Sequence, residues 1–451
     1  MEMYDKPQPL ERYLDRELKC RCGRTHYVPI KAVEVGSGAL NALPRLVRKG
    51  GYQRPYILCD PITYQVAGQR CEAMLRKDGL NAACHVLEHL NFDEATLGEI
   101  LVNRPDDADL MIGVGTGAIT DMTRYSSFKL KLPCYTVATG APMDGFAASI
   151  GILNVNNLKR TLPAHCTEVI IGDTDILRTA PYRMTVAGFG DLIGKVSCLN
   201  DWKLARIVTG EHYCPQIVEL VEDCVNRVRA QAPMLRQRDP EALGAVMNGL
   251  VLSGSAISLY GDSRPASGAE HHMSHFWETI FEQRGENHAM HGEQVAAGTV
   301  LALMLAEELL SVTPDFKRAR AAAERYDKAQ WERDIRTVYG SAAQEVLNLE
   351  AAAGKNDTEK RLMRIDSMER QWDNIRSQLR TLPPAAELRT LLENVGCPCT
   401  PEEIGVDDAL LRQTIRYAKE LRPRYTLLQT IWDLELTDEL TERVIRRLHE
   451  K

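Results

Sequence analysis

Leu110-Met-Ile-Gly-Val-Gly-Thr-Gly-Ala-Ile-Thr-Asp121 runs from an apolar stretch into glycines at 113, 115 and 117 and then into a helical pattern. That order is the strand–turn–helix joint of an α/β unit. Glycines at such a joint let the backbone approach a pyrophosphate, and the start of the next helix favours negative charge. The spacing is not GxGxxG, so a purely structural turn stands as an equal reading.

Working outward, further strands are expected at Ala32–Val35, Tyr56–Cys59, Ala82–Leu87, Leu110–Val114 and Cys134–Val137, with Gly151–Val155 and Val169–Gly172 as additional ones. Between them, Thr63–Arg76 and Asp93–Val102 carry apolar residues at three- and four-residue spacing, the mark of crossover helices. From Asp191 onward the pattern is helical: Asp191–Val208, Ile217–Arg229, Pro240–Leu259, Gly292–Leu310 and several more. The expected fold is an N-terminal α/β parallel-sheet nucleotide-binding domain over residues 1–175, followed by an all-α helical bundle over 176–451. Lys317–Leu382, rich in Ala, Arg, Glu and Gln, reads as long exposed helices on the outside of that bundle.

The composition, 44% hydrophobic and 26% charged over 451 residues, is that of a folded globular chain and excludes disordered classes. Fifty-five Lys and Arg against 62 Asp and Glu leave a net charge of −7 with no basic block, which argues against nucleic acid as a partner. The first twenty residues are charged throughout, so no secretory signal is expected and the location reads as cytoplasmic. The apolar run Gln294–Ala306 is too short to cross a bilayer, so no membrane span is expected. Twelve cysteines then read as reduced thiols. Cys20 and Cys22, with His26 nearby, and Cys397 with Cys399 are CxC pairs rather than the doubled CxxC of a zinc ribbon, and are read as structural thiols.

Three groups of residues carry candidate chemistry. Asp60 ends the strand Tyr-Ile-Leu-Cys-Asp, where a carboxylate either caps a helix or accepts hydrogen bonds from a ribose. Of eleven histidines, five fall close together in Ser267-Gly-Ala-Glu-His-His-Met-Ser-His275 and Asn287-His-Ala-Met-His291. On a helix His271 and His275 share a face while His272 turns about 100° away. Gly188-Phe-Gly-Asp191-Leu-Ile-Gly-Lys195 is read as opening a helix, with Asp191 as a helix-start carboxylate or a metal ligand. One Asp and two His suit a catalytic divalent ion with an open position.

Taken in order, GVGTGAITD, TVATGAPMDGFA, GFGDLIGK, SGAEHHMSH and MHGEQVAAGT resemble the glycerol-1-phosphate dehydrogenases, closest to their bacterial AraM-type branch. That family sits in the larger group of dehydroquinate synthase, glycerol dehydrogenase and iron-containing alcohol dehydrogenases. The resemblance covers nearly the whole chain and is weakest across Lys317–Leu382. It implies a dehydroquinate synthase-like fold, with NAD contacting Asp60, Gly115, Thr116, Gly117, Ala118, Ile119, Thr139, Gly140, Ala141 and Pro142. It further implies Asp144 and His275 beside the substrate, and Asp191, His271 and His291 around the metal. Two positions depart from the family pattern: Thr116 stands where relatives have a third glycine, and Ala148 where they have a cofactor-contacting Ser.

The implied reaction is reversible reduction of dihydroxyacetone phosphate, a phosphorylated triose, to sn-glycerol 1-phosphate. A metal at Asp191, His271 and His291 would polarise the ketone, and His275 would supply the proton. Asp60 would favour NAD over NADP by repelling a 2′-phosphate. Zinc is the favoured metal, with nickel as the alternative. Iron-dependent relatives resemble a pattern with a further His where Lys195 stands, and Lys195 itself is a candidate phosphate donor. Relatives imply a homodimer or larger homo-oligomer. Competing readings are a dehydroquinate synthase-like lyase, a glycerol dehydrogenase and a non-catalytic NADH sensor.

Overall fold

Six strands form one parallel sheet in the computed structural model, which describes residues 1–155 and 158–450. In chain order the strands are β1 (Leu18–Lys19), β2 (Thr25–His26), β3 (Ala32–Gly36), β4 (Pro55–Cys59), β5 (Ala83–Val86), β6 (Leu110–Gly115), β7 (Cys134–Ala138), β8 (Ile150–Val155), β9 (Leu158–Pro163) and β10 (Val169–Asp173). The sheet order is β3-β10-β7-β6-β4-β5. β4, β6, β7 and β10 are buried along their whole length, as strands of a sheet covered on both faces must be. Alternate side chains divide between two cores: Ile57, Ile112 and Val137 enter one, while Tyr56, Leu58 and Met111 enter the other. The expected strand at Gly151–Val155 forms, but in an antiparallel hairpin of β8 with β9 instead of in the main sheet.

The topology locates a switch point in the strand order. The chain leaving β4 goes to β5, while the chain leaving β6 goes to β7 on the opposite side. Carboxyl ends of neighbouring strands whose connections part in this way leave a gap, the usual nucleotide position in a doubly wound sheet. At β6 the helix Gly117–Leu130 starts almost on top of the strand: a Cβ on Gly115 would lie 2.6 Å from that of Ile119. The glycine is therefore required by packing as well as by any ligand.

The described chain divides into two compact units, Met1–Leu192 with Glu219–Asp262, and Ile193–Val218 with Ser263–Lys451. The first contains the sheet and the long helix Pro240–Tyr260; the second is helical. Pro240–Tyr260 and His291–Ser311 are long and apolar enough by length and composition to cross a membrane, yet 72% and 78% of their most apolar windows are buried within the protein. Both serve as core helices.

Two sequence expectations need correction. Asp191 does not open a helix: it lies near the end of Tyr182–Ile193, and the next helix, Lys195–Thr209, begins after Gly194. The alternating pattern across Gly194 looked continuous because both helices bury apolar faces. Nor is Lys317–Leu382 wholly peripheral. Its helix Thr358–Leu379 buries Ile365, Met368, Ile375 and Leu379 along one side. It also buries Arg364, which grips the fully buried Asp433 through two bonds of 2.6 and 2.9 Å. Arg361 bonds Glu435 at 3.1 Å and lies over the Trp432 ring, 3.9 Å from its centroid. Composition misleads here because these buried charges are compensated by carboxylates from outside the segment.

Candidate active site

In the first unit, all three segments expected to meet a nicotinamide cofactor stand at the carboxyl ends of the adjacent strands β4, β6 and β7. Asp60 follows β4 and caps the next helical turn. Its Oδ1 accepts from the Thr63 amide at 2.7 Å, and its own amide donates to Thr63 Oγ1 at 2.9 Å. The capping reading of Asp60 thus holds, and it fixes the carboxylate at the crevice. Thr116 stands before the helix Gly117–Leu130 and makes no side-chain cap, so the first-turn amides are not engaged by it. Thr139 is tied to the same turn, its amide donating to the Gly115 carbonyl at 3.1 Å.

The motif around Asp191 acts on the third segment from behind. A Cβ on Gly188 would sit 2.0 Å from the Ala141 carbonyl oxygen, so only glycine lets the helix Tyr182–Ile193 press against Thr139–Pro142. One turn on, the buried Asp191 carboxylate accepts from the Asp144 amide through Oδ2 at 2.9 Å. Asp144 Oδ2 in turn accepts from Ser253 Oγ at 2.8 Å. Ser253 is a positioning residue that sequence reasoning missed, since nothing local to it points to a site.

In the second unit the helix Ala269–Arg284 carries His271 and His275, and the helix His291–Ser311 begins with His291. The three imidazoles gather with ring centroids 6.1, 5.3 and 5.2 Å apart. Two carboxylates orient them. Glu270 Oε1 accepts a hydrogen bond from His271 Nδ1 at 2.7 Å. Glu278 bridges, with Oε2 3.0 Å from His275 Nδ1 and Oε1 3.2 Å from His291 Nδ1. A carboxylate only accepts, so each ring is the Nδ1-H tautomer and carries its lone pair on Nε2. This carboxylate–histidine arrangement orients imidazole ligands at metal sites. Neither glutamate was foreseen, although Glu278 sits three residues beyond His275 on the same helix, within side-chain reach.

Burial opposes the charge on Glu278, but its hydrogen bonds from His275 and His291 outweigh that and hold it well below the usual carboxylate range. Burial pushes the His275 imidazole down to about 4, against the pull of Glu278. Beneath this cluster the buried Asp201 receives the Ala269 and Leu427 amides, both at 2.7 Å, and so pins two helix starts. Burial, then the nearby Glu270 charge, raises Asp201 to about 7. Lys195, a candidate phosphate donor by sequence, is fully buried with its ammonium donating to the Ala266 carbonyl at 3.1 Å. It tethers the approach to Ala269.

Comparisons with known proteins bear on the fold and the family. A family model described as iron-containing alcohol dehydrogenase matches residues 34–181. The glycerol dehydrogenase of Schizosaccharomyces pombe shares the fold with a TM-score of 0.61 at 16% identity, over 94% of this chain and 92% of that one. The iron-containing alcohol dehydrogenase of Thermococcus thioreducens does so with a TM-score of 0.59 at 16% identity, over 94% and 100%. The fold is thus one shared with glycerol dehydrogenases and iron-containing alcohol dehydrogenases. The glycerol-1-phosphate dehydrogenase [NAD(P)+] of Geobacillus stearothermophilus is 30% identical over 434 residues, 95% of this chain and 98% of that protein. The chain belongs to the glycerol-1-phosphate dehydrogenase family and is an NAD(P)-linked oxidoreductase.

Proposed function

We propose that this enzyme reversibly reduces dihydroxyacetone phosphate to sn-glycerol 1-phosphate with NADH and a divalent metal held by Asp191, His271 and His291. The observation that carries the metal assignment is the pair of carboxylates that fix the Nδ1-H tautomer on His271 and His291, so that each presents an Nε2 lone pair. The donor set fits a catalytic ion: two imidazoles and one carboxylate leave a coordination position for substrate. Zinc is the metal proposed, with nickel as the alternative.

Held by Asp191, His271 and His291, a divalent ion would supply Lewis-acid polarisation of the ketone oxygen. The chain's own residues do the rest. Gly115, Thr116, Gly117, Ala118 and Ile119 offer helix-start amides to the cofactor pyrophosphate. Thr139, Gly140, Ala141 and Pro142 flank the same crevice. Asp60 Oδ1 is engaged by the cap, and Oδ2 accepts from an adenosine ribose hydroxyl while repelling a 2′-phosphate, which favours NADH. Asp144, anchored by Ser253, orients substrate hydroxyls. His275, whose Nδ1-H is bound to Glu278, would hold at its Nε2 a water that relays a proton from solvent to the substrate oxygen. The cofactor and metal assignments at individual residues rest on the family resemblance together with these local geometries. The homo-oligomeric state rests on the resemblance alone. A cytoplasmic location is supported by twelve cysteines that all carry thiols.

The test is NADH oxidation with dihydroxyacetone phosphate, dihydroxyacetone and glyceraldehyde, before and after chelation. The proposal expects the phosphorylated ketone to be much the fastest and chelation to abolish turnover. Equal rates on the two ketones would make the enzyme a glycerol dehydrogenase, and no turnover with any ketone at any metal loading would make it a sensor.

A further inference from the structure

The hairpin of β1 with β2 presents a second set of metal-binding groups. Its strands are two residues long, paired Leu18 with His26 and Lys19 with Thr25. The turn between them is tight: the Cys20 amide donates to the Arg24 carbonyl, the Gly23 amide donates to the Cys20 carbonyl, and Gly23 takes φ +88°. This turn folds Cys20 and Cys22 back toward the second strand. The two sulfurs and a His26 ring nitrogen lie within 4.8 Å of one another.

His26 is nearly fully buried, and its Nδ1 is 2.7 Å from the Leu259 carbonyl oxygen. A carbonyl accepts, so Nδ1 carries the proton and Nε2 the lone pair. That lone pair faces Cys22 Sγ at 3.3 Å. Two sulfurs and one imidazole of fixed tautomer form a soft donor set suited to zinc. An isolated two-stranded hairpin is marginal in water, and metal binding adds directly to the folding free energy of such an element.

We propose that Cys20, Cys22 and His26 bind a structural zinc ion that staples the N-terminal hairpin. Binding displaces the two thiol protons to solvent and leaves both sulfurs as thiolates on the ion. A water or a further side chain completes the four-coordinate shell.

The proposed catalytic centre contains no sulfur, which makes the two metals separable in the full-length protein. Cobalt loading of the metal-free protein should give a thiolate-to-cobalt charge-transfer absorption, which Cys20→Ser/Cys22→Ser abolishes while lowering the zinc content by about one equivalent per chain. Absence of that absorption in the parent, or an unchanged zinc content in the variant, overturns the proposal. Should the variant fail to fold, X-ray absorption on the zinc-loaded parent decides: sulfur scatterers at about 2.3 Å support the site, and a shell of nitrogen and oxygen alone overturns it.

Discussion

Replacing Glu278 with Gln tests the orienting role of the bridging carboxylate most sharply. In the parent, one carboxylate accepts hydrogen bonds from Nδ1 of both His275 and His291, at 3.0 and 3.2 Å. Glutamine is nearly isosteric but has a single acceptor oxygen. Its amide nitrogen, facing the second ring, drives that imidazole to the other tautomer, with the proton on Nε2 and no lone pair there for a metal. Where the amide oxygen serves His275, His291 is the ring that suffers. Loss of such an orienting partner costs about 10- to 100-fold in metal affinity, or roughly 1.4–2.8 kcal/mol at 1.4 per decade. The assay is competition for zinc against a chelator of known affinity, with circular dichroism as the fold control. Unchanged affinity in a folded Glu278→Gln protein would refute the reasoning, because it would show that the histidine cluster does not depend on this tautomer. Glu278→Ala should be no worse for tautomer choice but should loosen both rings.

Asp191→Ala, His271→Ala and His291→Ala should each abolish metal retention and turnover yet still bind NADH by fluorescence titration, whereas His275→Ala should keep the metal and lose turnover. Gly188→Ala forces a methyl to within 2.0 Å of the Ala141 carbonyl oxygen, so it should cost about 1–3 kcal/mol in urea unfolding and weaken NADH binding by displacing Thr139–Pro142. Arg364→Ala leaves the buried Asp433 without its two-pronged partner, and a loss of about 3–5 kcal/mol is expected in the same assay. Glu99 receives hydrogen bonds from the Glu88 and His89 amides and from the His85 and His89 rings. Burial pushes its pKa up, but these bonds prevail and bring it down to about 2. Its folded-state value lies below the unfolded one, so its stabilisation is complete above about pH 4.5 and fades as pH falls toward 2. Thermal melts of Glu99→Gln should therefore converge on the parent as the solution is acidified, and a constant difference would count against the assignment.

The sheet was legible because its central strands are continuous apolar runs bounded by turn residues, a pattern that depends on nothing distant. The placement of Asp60 and Gly115–Ile119 at strand ends was legible for the same reason, since both come at the close of such runs. Asp191 was placed at the wrong end of its helix because the break at Gly194 leaves the apolar periodicity intact on both sides. Ser253 and Asp201 act on residues more than sixty positions away, so no local pattern reveals them. Thr358–Leu379 looked solvent-facing because Arg361 and Arg364 count as polar in any composition, while their compensating groups Asp433 and Glu435 lie far along the chain.

The central claim is stereospecific reduction of a phosphorylated ketone, and the configuration of the product tests it most directly. NADH and dihydroxyacetone phosphate should be turned over on the metal-loaded enzyme and the glycerol phosphate resolved on a chiral phase. The account predicts the sn-1 enantiomer alone. An sn-3 product, or none at all, would contradict it.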